Sequence, residues 1–160
     1  MPTAELAALV GVATEIAQEQ ERARARKFDP LLQAKVRGRF AQRWLMEEGG
    51  PFLRAAQVAR LLRVTKEEVV RRRKKHQLLA VQFADKSYAY PAWQFVRKGV
   101  VQGLPQVLAA FQEPSSWAQL RFFVSVNRRL KSARPIDRLL KGDVKRVVRA
   151  AEEFDEHGAA

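Results

Sequence analysis

Five consecutive cations, Arg71-Arg72-Arg73-Lys74-Lys75, sit in one short segment of helical composition. Like charges one turn apart destabilise a helix unless counter-charges are supplied. The fold must therefore solvate this run or set it against an anion. Thr65 is a natural N-cap for the helix, and Glu68 three residues later completes the pattern of a capping box, in which each side chain satisfies the other's unpaired backbone donor. Glu67 and Glu68 pair only in part with Arg71 and Arg72 at i,i+4 spacing, so phosphate is the obvious missing counter-charge. Upstream, Ala55–Leu62 presents Val58, Leu61 and Leu62 on one face, and small Ala55, Ala56 and Ala59 allow close approach of a neighbour. The Arg63-Val64 link permits only a sharp turn, after which Val69 and Val70 supply the second helix with apolar contacts. Downstream, the run LLAVQF has strand composition, 84–87 is turn-like, and Tyr88-Ala89-Tyr90 returns before Pro91 ends the strand. Residues 52–91 thus predict two short helices, a tight turn and a basic hairpin.

Charge distribution points the same way. The net charge is +13, and residues 51–100 alone hold 12 Lys/Arg against 3 Asp/Glu, whereas residues 1–50 hold 8 against 7 and residues 101–160 hold 10 against 7. A concentrated basic stretch favours a polyanionic partner, where a uniform excess speaks only to solubility. Thr65 and Lys66 at the start of the cationic helix, with Arg71, Arg72, Lys74 and Lys75 along it, are the candidate DNA-contacting residues. They would neutralise backbone phosphates and release counterions, and one or two arginines would reach guanine edges in the major groove. The alternative is a solvated basic face. His76, at the C-terminal end of this helix, is favoured there by the helix dipole and reads as structural or phosphate-contacting.

Leu78, Ala80 and Val81, in an L-x-A-V pattern, followed by a turn and then Tyr88, Tyr90 and Pro91, resemble the winged helix-turn-helix of excisionases and MerR-type regulators. The resemblance spans about forty residues. It implies that Lys86 sits at the wing tip over a phosphate. The chain departs from that pattern at Arg72 and Arg73, where apolar residues are usual. It departs again at His76, where glycine is usual, so the helix C-terminus is expected to be built differently.

The N-terminal region, residues 1–50, predicts two helices. In the first, Leu6, Leu9, Val10, Ala13 and Ile16-Ala17 recur at helical spacing before the face fades into QEQERARARK, so its first half is expected to dock and its second half to be solvated or to meet a partner. Asp29 and Pro30 read as N-cap and first residue of the second helix, with Leu32, Val36, Phe40, Trp44 and Leu45 on its buried face and Gly49-Gly50-Pro51 ending it. These are scaffold helices or a dimerisation element, since two-fold DNA sites are usually bound by dimers.

Beyond the wing, Trp93 and Phe95 are expected against the core, Gly99, Gly103 and Pro105 in a loop, and Val107–Phe111 in a short apolar segment. A serine of Pro114-Ser115-Ser116 caps a helix near Trp117, with Leu120, Phe123 and Val124 inward. Asn127–Ala133 reads as a basic loop. Pro135 opens a helix that Gly142 closes, and Asp143 caps a last helix bearing Val144, Val147, Val148, Ala151 and Phe154, ended by Gly158. This order, with Trp117, Asn127, Leu130, Arg134-Pro135-Ile136-Asp137, Leu139-Leu140, Gly142-Asp143 and His157-Gly158, resembles the toxin-binding domain of Xre/MbcA/ParS-type antitoxins. The resemblance implies that Trp117, Arg134, Pro135, Asp137, Leu139, Leu140, Gly142, His157 and Gly158 engage a RES-domain toxin that degrades NAD+. It further implies that the protein represses its own operator as an antitoxin. A stand-alone DNA-binding regulator, or a phage or plasmid DNA-binding protein with a helical oligomerisation tail, is the competing expectation. An RNA-binding accessory role is disfavoured, because no stacking aromatics interleave with the basic run.

The chain has no cysteine, which excludes disulfides, thiolate metal sites and a cysteine nucleophile. Two isolated histidines, no glycine-rich phosphate loop and no acidic pair in an apolar setting leave no catalytic constellation, so neither an enzyme nor a cofactor or metal is expected. No apolar run approaches the about 18 residues of a membrane span, and a cytoplasmic protein is expected. The fold class expected is mainly α. N-terminal helices over 1–50 precede a winged helix-turn-helix with a short β-hairpin over 51–111 and a small helical domain over 112–160. The partners expected are operator DNA, the toxin and a second copy.

Overall fold

The computed structural model describes residues 3–27, 30–112 and 115–154, with the side chains of 3–7, 9, 23–27 and 32 left outside that description. The fold is mainly helical with small antiparallel sheets, as the sequence predicts. It divides into two units, up to Ala41 and from Gln42 onward. Among the described residues no helix is long and apolar enough to cross a membrane.

The first unit holds α1 (Thr3–Lys27) and most of α2 (Pro30–Gly49). Val10, Ala13, Ile16 and Ala17 are exposed, so the docking expected of the first half of α1 is not found there. Leu6 and Leu9 have side chains outside the described set, as does Leu32, and Asp29 lies outside the described residues altogether. On α2 the expected buried face is also corrected. Val36, Phe40 and Trp44 are exposed and only Leu45 is buried. At about 100° per residue, Leu45 points roughly opposite to Val36. Of this set, Leu45 is the side chain that reaches a core.

The second unit runs β1 (Phe52–Leu53), α3 (Ala55–Leu62), α4 (Lys66–Lys74), β2 (Val81–Gln82), β3 (Tyr88–Pro91), β4 (Phe95–Val96), β5 (Gly99–Val100), α5 (Leu104–Ala110), α6 (Ser116–Val124), α7 (Pro135–Leu140) and α8 (Val144–Glu152). Three strands pair in the order β1-β3-β2, with Leu53 opposite Tyr90 and Val81 opposite Ala89. The sequence does not foretell β1, a two-residue strand too short to show alternation. Gly99, expected in a loop, lies instead in a strand. Strands β4 and β5 form a second hairpin, Phe95 opposite Val100, with Arg97 and Lys98 as its tip. Pro105 lies in the first turn of α5, where its missing N–H costs nothing. Gly103, just before it, has φ +87, and a Cβ there would lie 2.5 Å from a Val144 methyl, so α5 and α8 meet at a point only glycine fits.

One buried polar group fixes the join between helix and wing. Gln94 is fully buried; its Oε1 accepts from the Leu79 N–H at 2.9 Å, and its Nε2 donates to the carbonyls of Leu79 at 2.8 Å and Pro91 at 3.0 Å. Those backbone groups have no ladder partner in the short sheet, and the side chain stands in for one.

The apolar core has two parts. Val58, Ala59, Val69, Leu78, Ala80 and Tyr90 form the smaller, inside the helix-turn-helix. The larger joins Leu79, Val81 and Ala89 of the hairpin region to Leu120 and Phe123 of α6 and to Val147 and Ala151 of α8. Leu61, expected inward, is 56% exposed, and Ala59 is buried in its place. The domain boundary expected between 111 and 112 runs through the larger core. Phe111 on one side of it packs edge-on against Phe122 and Phe154 on the other, with centroids 5.1 and 5.8 Å apart. Last-helix expectations also shift. The Asp143 side chain makes no cap hydrogen bond, lying instead 3.9–4.0 Å from Arg146 and Arg138. The helix ends at Glu152, ahead of Gly158, which lies outside the described residues.

Three helices end in the same way. A left-handed residue follows the last turn, and two backbone bonds close it; the one spanning five residues runs from Val64 to Ala59 after α3, from Gln77 to Arg72 after α4 and from Asp143 to Arg138 after α7. Gly142 serves the last as expected, but Arg63 (φ 55) and His76 (φ 55) serve the others. The α4 terminus is therefore not built differently from the glycine-ended pattern; histidine adopts the glycine conformation. Left-handed backbone costs a side-chain-bearing residue about 1–2 kcal/mol, and glycine returns part of that gain as unfolded-state entropy. His76→Gly is expected to raise stability by about 0.5 kcal/mol, read as a higher thermal midpoint. A lower midpoint would mean that the imidazole makes an interaction the backbone argument omits.

Candidate nucleic-acid interface

Thr65 Oγ1 accepts from the Glu68 N–H at 3.1 Å, so half of the expected capping box is present. The other half is not. Glu68 turns away from the Thr65 backbone and takes Arg71 at 2.7 and 2.8 Å and Arg72 at 2.9 Å. Two guanidiniums are stronger donors to a carboxylate than one neutral amide. Hydrogen bonds from Arg71 and then Arg72 hold the Glu68 carboxyl at about 2, so the clasp stays ionised over the whole neutral range. Capping by glutamine is found instead at α3, where Gln57 Oε1 accepts from the Arg54 N–H at 2.8 Å.

Arg73 is committed elsewhere. Its guanidinium lies 3.7 Å from the centroid of Tyr88 on β3, a cation–π contact that ties the helix to the wing. Burial pushes the neighbouring Tyr90 phenol up, with Arg73 pulling the other way. The run of five cations is therefore not uniform. Arg71 and Arg72 are clasped by Glu68 and Arg73 is stacked, which leaves Lys74 and Lys75 exposed and without an ion pair among the described residues. Glu67, Arg71 and Lys74, spaced i, i+4, i+7, are exposed on the side of α4 away from buried Val69. Lys66 and Thr65 are exposed at its start.

The wing tip is built by its own polar groups. Asp85 accepts from the Ser87 N–H at 3.0 Å and hydroxyl at 2.6 Å, and these bonds hold its carboxyl below the usual range. The Phe83 N–H donates to the Ser87 carbonyl and the Lys86 N–H to the Phe83 carbonyl, both at 2.9 Å. Lys86 takes φ 65 at the turn and is exposed. This is the three-residue hairpin loop with a left-handed last residue. Arg54, which nothing in the sequence pattern singles out, donates to Ser87 Oγ at 3.1 Å and to the Tyr88 carbonyl at 3.4 Å. It thereby braces the wing from the start of α3. Its only signal in the sequence is its place just ahead of a helix.

The C-terminal candidates fall into separate settings. Pro135 and Leu139 are buried in the core. Trp117 packs against Phe83 and donates its Nε1–H to the Gln82 carbonyl at 3.1 Å, so it holds the wing in place. Arg134 and Asp137 form a two-point ion pair at 2.8 and 3.1 Å that draws the Asp137 carboxyl down. Leu140 is 50% exposed, and Gly142 is exposed with φ +84. His157 and Gly158 lie outside the described residues. Among the described residues no group of His, Asp and Glu is arranged to hold a metal ion.

No family model matches this chain. No curated protein matches it. Among solved structures, the NMR structure of Rv2175c is similar, at 25% identity and a TM-score of 0.54, covering 64% of this chain and 79% of that one. The share of the chain that is matched is larger than the quarter taken up by residues 52–91.

Proposed function

We propose that this protein binds duplex DNA as a transcription regulator, with α4 entering the major groove and the Lys86 hairpin tip on the adjacent backbone. The observation that carries the reading is the placement of unpaired charge. Lys74, Lys75 and Lys86 have no ion pair among the described residues, while within the same run Arg71 and Arg72 are clasped by Glu68 and Arg73 is stacked on Tyr88. Phosphate contacts then fall to the three lysines, and Arg71, held in plane by Glu68, is the side chain preset for a guanine edge. The test is fluorescence anisotropy of a labelled random-sequence duplex titrated at several salt concentrations. Three phosphate contacts predict a slope of log K against log salt of about −2.7. Affinity that does not change with salt, or no binding in dilute buffer, would exclude the reading.

A second reading, an antitoxin that also binds a RES-domain toxin, is supported by the C-terminal motif order and by one surface feature. Leu140 is half-exposed beside the Arg134–Asp137 pair on α7. It would be read out by co-purification at high salt of a stoichiometric NAD+-degrading enzyme, abolished in Leu140→Glu.

A further inference from the structure

We propose that α1 pairs with α1 of a second copy of this chain as a parallel, in-register, two-stranded coiled coil. The helix runs for 25 residues, and its described side chains, Ala8 and Val10 through Arg22, are all exposed, with Val10 at 60%, Val12 at 54% and Ile16 at 54%. A helix with no buried side is marginal in water and gains its stability from a partner. Ala13, Ile16 and Gln20 recur at the alternating three- and four-residue steps of a coiled-coil seam, as positions a, d and a. In the sequence the same register reaches Leu6 and Leu9 before them and Ala23 after. Val10 and Ala17 fall at e, which widens the apolar strip in the first half only.

Two features fix the occupant and its direction. An antiparallel partner would lay the apolar first half of α1 against the charged second half, QEQERARARK; a parallel copy sets apolar on apolar. In a parallel pair position g faces e of the next heptad on the other strand. Here g is Glu19 and the sequence places Arg24 at that e, so opposite charges meet at two symmetry-related points. Gln20 at a is a polar seam residue of the kind that selects register at some cost in stability, and in the sequence the next a is Lys27, where the apolar seam ends. The pairing belongs to α1 and does not rest on the DNA reading.

The test needs no nucleic acid. Sedimentation of the full chain over about 1–100 µM is expected to show a monomer–dimer equilibrium, and Ile16→Glu to weaken it by about tenfold or more. Ile16 is exposed within the chain, so unchanged thermal unfolding of the rest of the protein checks that only the pairing is removed. Because the chain has no cysteine, single thiols report geometry directly. A disulfide requires Cα atoms within about 7 Å, which in-register a positions satisfy. Oxidised Ala13→Cys is expected to run as a covalent dimer and Gln18→Cys, on the outer f position, as a monomer. A chain that stays monomeric over the whole range overturns the proposal. So does a dimer in which Ala13→Cys fails to cross-link or Gln18→Cys cross-links equally well.

Discussion

Replacing Lys74, Lys75 and Lys86 together by glutamate is expected to lower affinity for duplex DNA by about 10³-fold or more in low-salt buffer. The salt slope should flatten by about 2.7, from about −2.7 to near zero, as three phosphates are no longer neutralised. Each reversal removes an attraction and adds a repulsion, at a surface where few counter-charges intervene. The same substitutions touch nothing in the core, since all three side chains are exposed. Stability should therefore stay within about 0.5 kcal/mol of the parent. Arg72→Ala offers the contrast. Arg72 is clasped by Glu68 at 2.9 Å and is only partly exposed, so its removal should cost far less affinity than removal of either neighbouring lysine. Anisotropy on one labelled duplex, with urea unfolding run alongside, separates the two. Equal effects of Arg72→Ala and Lys74→Ala would mean that all the cations act as one undivided patch, and the division of labour drawn from Glu68 and Tyr88 would be wrong.

That division is not legible from composition. The sequence shows where the charge is, because a run of like residues is local, and it shows where α4 starts, because Thr65 caps its own helix. Which cation faces outward depends on partners brought in from elsewhere. Tyr88 is fifteen residues beyond Arg73, and it takes that arginine only once the hairpin has folded back. The same limit explains α2. Its apolar residues at 36, 40, 44 and 45 predict a buried face, yet among these only Leu45 meets the core. Periodicity gives the width of a stripe without saying what covers it. The second hairpin escapes notice because its strands, Phe95–Val96 and Gly99–Val100, are each two residues long, below the length at which alternation can be read. Helix ends are easier, since Gly142 and Pro135 carry their meaning in their own backbone chemistry. Arg63 and His76 take the same left-handed conformation without that signal.

Gln94 is the residue whose replacement should be felt most by the fold. Gln94→Leu keeps nearly the same volume but strands the Leu79 N–H and two carbonyls, those of Leu79 and Pro91, in a site closed to water. Each unsatisfied buried backbone group costs about 1–3 kcal/mol, so a total of about 3 kcal/mol or more is expected, a large fraction of the about 5–15 kcal/mol that holds a typical domain together. Gln94→Glu sharpens the test through its pH dependence. The new carboxyl would have an oxygen where Nε2 now donates to two carbonyls, so only the protonated acid retains a donor there. Burial and those carbonyl oxygens raise its folded pKa above the about 4.3 of an unfolded glutamate. A raised folded pKa contributes stability that is fully present below the unfolded value and is lost as pH rises through the folded one. Relative to the parent, Gln94→Glu should therefore be much less stable at pH 7 and recover part of the deficit by about pH 4, whereas Gln94→Leu should show a constant deficit. Urea unfolding at the two pH values distinguishes them. Parallel behaviour of the two variants would mean that the amide fills space without donating. Leu79 joins the end of α4 to the wing, so the Gln94 bonds also set where Lys75 stands relative to Lys86. Both Gln94 variants should bind DNA more weakly even under conditions where they remain folded.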